Sequence, residues 1–224
     1  MNIQGFKVNF LGDSITEGVG VEDREHCRYD RRLMAMCGLS AANNYGIGGT
    51  RLAHQRHPSE KPRHDLCFCG RVYNMDTTAD MVVVYGGVND YIHGDAPFGQ
   101  IGDTTPATFC GGVYFLMNYL RTNYPDKPII FMTPARCYRD NLDDLYPSTR
   151  PGKQPDAKAL RAYVDVIIKT AESFEIPVLN LYETLGIDPH DPKDNETYTK
   201  DGLHFNDAGH AILAQRLYDF IEAL

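Results

Sequence analysis

The feature that most constrains this chain is an alternation of short apolar runs, cut off by glycine or proline, with longer amphipathic stretches. Phe6 to Leu11 stops at Gly12, Met81 to Tyr85 stops at Gly86-Gly87, and Pro128 to Thr133 stops at Pro134. Ile176 to Leu181 is a further short run and Ala42 to Tyr45 a weaker one. Continuous apolar runs of about four to eight residues bounded by Gly or Pro suit strands buried on both faces, as in a parallel sheet. Between them, Thr105 to Asn123, Asp156 to Phe174 and Ala208 to Leu224 carry apolar residues at helical spacing, which predicts three long core-facing helices. Five strands alternating with helices predict an α/β fold, a three-layer α/β/α sandwich around a five-stranded parallel sheet with right-handed crossovers. Ligands in such sheets bind beyond the carboxyl ends of the strands, which is where chemistry is to be sought.

The chain has 224 residues, without an internal repeat or a linker-like tract, and reads as a single domain over residues 1–224. Its 22 Lys+Arg against 30 Asp+Glu leave a net charge of −8, which argues against nucleic acid and anionic membranes as partners. No run is long and apolar enough for a membrane span, and the N-terminal stretch lacks the pattern of a secretory signal. Together with six cysteines read as reduced thiols, this predicts a cytoplasmic protein. His64, Cys67 and Cys69 lie close together, yet no second ligand pair follows at zinc-site spacing, so no metal is expected.

Four segments at predicted strand ends carry candidate chemistry. Gly12-Asp13-Ser14-Ile15-Thr16-Glu17 follows the first strand; Ser14 is either a nucleophile at a helix start or, with Glu17, a capping box. Asn44-Tyr45-Gly46-Ile47-Gly48-Gly49-Thr50 is a flexible turn or a source of a backbone N–H for an oxyanion; it lacks the Lys of a phosphate loop. In Gly86-Gly87-Val88-Asn89-Asp90, Asn89 offers an amide donor or caps its own turn. In Asp201-Gly202-Leu203-His204, the carboxylate can accept from one ring nitrogen and leave the other free as a base.

Each segment alone is a weak signal, but the four in this order resemble the SGNH hydrolase superfamily, also called the GDSL esterase/lipase family. The resemblance runs from about Phe6 to His210. It implies a flavodoxin-like hydrolase fold and a serine esterase with Ser14 as nucleophile, His204 as base and Asp201 as its orienting partner. It also implies an oxyanion hole made by the N–H groups of Ser14 and Gly49 and the amide of Asn89, Gly48 being an alternative to Gly49. Ile15 stands where the family's short name has Leu. No cofactor is implied.

The resemblance leaves the substrate open among acetylated sugars, lysophospholipids, thioesters and simple lipids. Two long loops, Tyr91 to Thr104 and Pro134 to Pro155, and a cluster of Arg51, His54, Arg56 and His57 mix aromatic rings with hydrogen-bonding groups. Asp13, Arg51, Tyr91, Arg136 and Tyr138 are expected to contact substrate, with Phe98, Arg139, Asp140, Asp143, Asp144 and Tyr146 also in these loops. The absence of a long aliphatic stripe favours a small-molecule or carbohydrate ester, with a short acyl (acetyl) group on a polar alcohol. The alternatives are a lysophospholipase or thioesterase and, in another class, a catalytically silent carbohydrate- or partner-binding protein. The sequence does not specify an oligomeric state.

Overall fold

The computed structural model of the protein describes residues 1–140 and 153–224. Five strands form one parallel sheet: β1 (Lys7–Gly12), β2 (Ala41–Gly46), β3 (Met81–Tyr85), β4 (Ile129–Met132) and β5 (Val178–Leu179), in the order β2-β1-β3-β4-β5. The helices are α1 (Ser14–Glu17), α2 (Tyr29–Cys37), α3 (Phe68–Arg71), α4 (Val88–His93), α5 (Phe109–Asn123), α6 (Leu160–Ser173), α7 (Leu181–Thr184), α8 (Pro192–Tyr198) and α9 (Asp207–Ala223).

The strand sequences explain the layering. In β3 every residue is buried, and alternate side chains serve opposite faces. Val82 and Val84, with Ile129 and Phe131 of β4, join a core with residues of α3, α4, α5 and α6. Met81, Val83 and Tyr85, with Ile130 and Met132, join a second core with residues of α1, α2, α7 and α9. A β-branched run without polar alternation needs apolar cover on both faces, and these two helix layers supply it.

The boundaries differ from the sequence reading where a side chain caps the backbone. Thr108 Oγ1 accepts from Gly111 N, so α5 begins at Phe109 rather than Thr105. Asp156 accepts from Gly99 N in a neighbouring turn, and α6 begins only at Leu160. The last strand is shorter than expected because Asn180 accepts from Glu183 N and starts α7.

The strand order puts β1 and β3 side by side at the sheet's switch point, where the connections leave in opposite directions and open a crevice. The register aligns Gly12 of β1 with Gly46 of β2 and Tyr85 of β3. The segments that follow these three strands therefore emerge together at one edge.

Candidate active site

Immediately after β1, Asp13 rather than Ser14 caps α1: its Oδ1 accepts from Ile15 N at 3.0 Å. The capping-box reading of Ser14 is thereby corrected, and the Ser14 hydroxyl, at the first position of a one-turn helix, is available for another partner. That partner is His204, whose Nε2 lies 2.9 Å from Ser14 Oγ. His204 Nδ1 lies 2.8 Å from Asp201 Oδ2. Partial burial works to raise the Asp201 carboxyl, but the backbone and ring N–H groups of His204 outweigh it and hold the carboxyl below its ordinary range. An ionised carboxylate only accepts, so the proton sits on Nδ1 and the Nε2 lone pair faces the serine.

The histidine segment is held by its own short-range bonds. Thr199 and Phe205 pair in an antiparallel bridge, Lys200 N donates to His204 O at 2.8 Å, and Gly202 N donates to Thr199 Oγ1 at 2.9 Å. Asn206 then caps α9 by accepting from Ala208 N and Gly209 N. Two residues from a firm helix start, the His204 ring is fixed against Ser14.

The segment after β2 is tied to the serine helix. Asn44 Nδ2 donates to Thr16 O at 2.7 Å, while its Oδ1 accepts from Gly46 N at 2.9 Å. Gly48 N donates to Glu17 Oε2 at 2.6 Å. That N–H is therefore engaged. Gly49 has φ +77°, and a Cβ built on it would stand 2.5 Å from the His64 ring, so the position suits glycine on both counts. Its carbonyl accepts from Arg51 Nη1 at 2.9 Å.

Asn89 enters from the β3 side, at the second position of α4 and directly after a left-handed turn at Gly87. Its Nδ2 points one hydrogen toward Asp13 Oδ2, at a long 3.4 Å. Burial raises the Asp13 carboxyl to about 6, against the pull of the Ile15 N–H, of nearby His204 and of the Arg71 guanidinium.

Arg71 lies beneath these groups and was not singled out by the sequence reading. Its Nη2 donates to Gly12 O at 2.7 Å and Thr50 Oγ1 at 3.2 Å, and its Nη1 donates to Tyr45 O. The guanidinium also stacks on the Phe68 ring, 4.7 Å from its centroid. One buried cation thus fastens the ends of β1 and β2; its burial lowers the group to about 10, against the opposing pull of Asp13.

Ser14, Glu17, Val19, Gly48, Gly49, Lys61, Arg63, His64, Asn89, Ile92, His93, Arg139, Asp201, Leu203 and His204 line a cleft of about 460 Å³. The residues expected to contact substrate are placed as follows. Asp13, Arg51 and Tyr91 are buried and already bonded: Arg51 to Asp95, and Tyr91 through its hydroxyl to Arg139 O at 2.7 Å. Arg136 stacks over Tyr182 and pairs with Asp140, while the exposed Tyr138 stacks on His190; neither lines the cleft. Phe98 packs against the core, and His54, Arg56 and His57 border a separate groove. Asp143, Asp144 and Tyr146 lie outside the described residues.

All six cysteines are free thiols. Cys67 Sγ accepts from Gly70 N and Cys69 donates to Gly112 O, so both serve local structure beside His64. Among the described residues no helix is long and apolar enough to cross a membrane, and no His/Cys/Asp/Glu group could hold a metal ion.

A strand-end serine thus lies within hydrogen-bond reach of a carboxylate-held histidine at the carboxyl edge of a parallel sheet. The chain belongs to the GDSL-like lipase/acylhydrolase family, whose profile matches residues 10–212. Among solved structures it is similar to a protein from Lactobacillus plantarum (27% identity, TM-score 0.80, covering 99% of this chain and 98% of that one). An acetyl xylan esterase (20% identity, TM-score 0.62, 95% and 98% covered) shares the fold. So does a variant of a Geobacillus acetyl-xylooligosaccharide esterase (22% identity, TM-score 0.63, 99% and 96% covered). The sequence has no significant match among curated proteins.

Proposed function

We propose that the protein is a serine esterase that removes short acyl groups, acetyl foremost, from a polar alcohol such as a carbohydrate, through an acyl-serine intermediate. The observation that carries this reading is the continuous chain from Asp201 through His204 to Ser14, at 2.8 and 2.9 Å.

In the first half-reaction, His204 Nε2 takes the Ser14 proton as Oγ attacks the ester carbonyl carbon. The carbonyl oxygen becomes an oxyanion, met by the N–H groups of Ser14 and Gly49 and the amide of Asn89. Asp201 stabilises the imidazolium and holds the ring's orientation. Collapse breaks the bond to the alcohol, which leaves with the proton from His204. Water, deprotonated by the same ring, then releases the carboxylic acid and regenerates Ser14. No step calls for a metal or organic cofactor.

The short-acyl, polar-alcohol preference draws on the cleft lining. Among the described residues its apolar side chains are Val19, Ile92 and Leu203, and apart from two glycines the other lining side chains are polar or charged. A long acyl chain needs a continuous apolar wall to leave water, at about 0.8 kcal/mol per methylene. The acetyl-sugar esterases that share this fold add support.

Hydrolysis of p-nitrophenyl acetate, butyrate and octanoate by wild type and Ser14→Ala tests the reading. Acetate turnover that disappears in the variant and falls steeply with chain length is expected. A preference for octanoate would instead favour a lysophospholipase or thioesterase, and equal inertness of both proteins a silent binder.

A further inference from the structure

The charge of the cleft mouth runs against that of the whole chain, which carries a net −8. Three cationic side chains, Lys61, Arg63 and Arg139, line the cleft, together with the carboxylates of Glu17 and Asp201. Both carboxylates are committed. Glu17 accepts from Gly48 N and pairs with Arg63. Asp201 accepts from the His204 ring and from the N–H groups of Leu203 and His204. Lys61 and Arg139 have no carboxylate within ion-pair distance among the described residues.

The two come from different segments of the lining. Lys61 accepts through its carbonyl from His64 N at 2.9 Å, at the head of the turn that lays the His64 ring over Gly49. Arg139 is held beside the histidine segment: its carbonyl accepts from the Tyr91 hydroxyl, and the N–H of neighbouring Tyr138 donates to Gly202 O at 2.7 Å. In the proposed reaction the alcohol oxygen leaves with a proton from His204, so the alcohol portion lies on the side of that segment. Arg139 is therefore the cation placed for the alcohol, and Lys61 adds to the same positive field.

Resting on the esterase reading above, we infer that the natural substrate carries an anionic group, a carboxylate or a phosphate, on its alcohol portion, recognised by Arg139 with help from Lys61. Burial and the nearby charges of Arg51 and Lys61 depress the His64 imidazole, which favours the neutral form of this lining ring. A cleft with a surplus of one charge attracts the opposite charge and speeds its capture.

The test compares three acetyl esters with similar rings: acetylated 4-hydroxybenzoate, its uncharged methyl ester, and 4-acetoxyphenyl phosphate. The ratio of kcat/KM for charged over uncharged ester is expected to fall about tenfold or more in the Arg139→Gln/Lys61→Gln double variant relative to wild type. Lys127→Gln, on a remote lysine paired with Asp80, is the control for net charge. The wild-type ratio should also fall as salt rises from about 10 mM to about 500 mM. Whichever of the carboxylate and phosphate esters gains more identifies the anion. A ratio unchanged by the double variant overturns the inference, as does a wild-type preference for an acyl-side hemisuccinate over its methyl ester; continued turnover of the uncharged ester would then leave the esterase reading standing. Calorimetric binding of the intact esters to Ser14→Ala supplies a readout independent of turnover: tighter binding of a charged ester supports the inference, and equal affinity overturns it.

Discussion

The Glu17 carboxylate accepts the backbone N–H of Gly48 at 2.6 Å, joining the serine helix to the glycine turn after β2. This contact ties the two sides of the crevice together. Glu17→Ala should lower kcat about ten- to a hundredfold through misplacement of the turn, since small displacements from reactive geometry carry costs of that size. Steady-state kinetics with p-nitrophenyl acetate measures it; an unchanged kcat would mean that Gly48 needs no such anchor.

Gly49→Ala combines a left-handed backbone at φ +77° with a Cβ 2.5 Å from the His64 ring. The variant should lose at least about tenfold in turnover, because a strained non-glycine residue and a displaced ring both move the N–H proposed as a donor. Adding His64→Ala removes the ring and should restore part of the loss. If the double variant is no better than Gly49→Ala, the ring contact is not what matters.

Asn89→Ala removes a proposed oxyanion donor, and losing such a donor typically costs about 10² to 10³ in turnover. The fold should persist, because the amide's bond to Asp13 is long at 3.4 Å. Near-wild-type turnover with an intact circular-dichroism spectrum would take Asn89 out of the site.

His210 gives a pH signature separate from catalysis. Its Nδ1 accepts from Tyr29 N, its Nε2 has no hydrogen-bond partner among the described residues, and burial lowers its pKa to about 4. The unfolded chain protonates near the ordinary histidine value, so the stability associated with neutral His210 is complete above about 6.5 and is lost as pH falls toward 4, on the order of 3 kcal/mol. Asp13 and Asp90, which burial raises to about 6 and about 7, act in the opposite sense: their contribution is complete below about 4 and is lost as pH rises through those values. Total stability therefore hides the histidine. The stability difference between wild type and His210→Gln isolates it and should shrink between pH 7 and about 4.5; a constant difference in urea unfolding would contradict the assignment.

The legible part of the molecule was its chain-order logic. Apolar runs ended by glycine identified the strands, and the Ser14, Gly49, Asn89 and Asp201–His204 segments meet at one edge because strand order and register bring them there. Local chemistry was less legible. Ser14 and Asp13 are both good caps, and only the three-dimensional turn shows that Asp13 takes the bond. Asp13, Arg51 and Tyr91 were expected at the substrate, but a polar residue in a loop sequence carries no sign of which way it faces, and all three turn inward. Arg71 and His64 were missed as site residues for the converse reason. Arg71 binds the carbonyls of Gly12 and Tyr45, and the His64 ring occupies the space a Cβ on Gly49 would need; such contacts between residues distant in sequence are invisible to residue-type patterns.

The central claim is that Ser14 carries the acyl group. The most direct measurement is rapid acid quenching of wild type during turnover of p-nitrophenyl acetate, followed by peptide mapping by mass spectrometry. Observing one acetyl group on the peptide that contains Ser14, absent from Ser14→Ala, is the result expected. Acetylation confined to another residue, with Ser14→Ala still turning over at the wild-type rate, would contradict it.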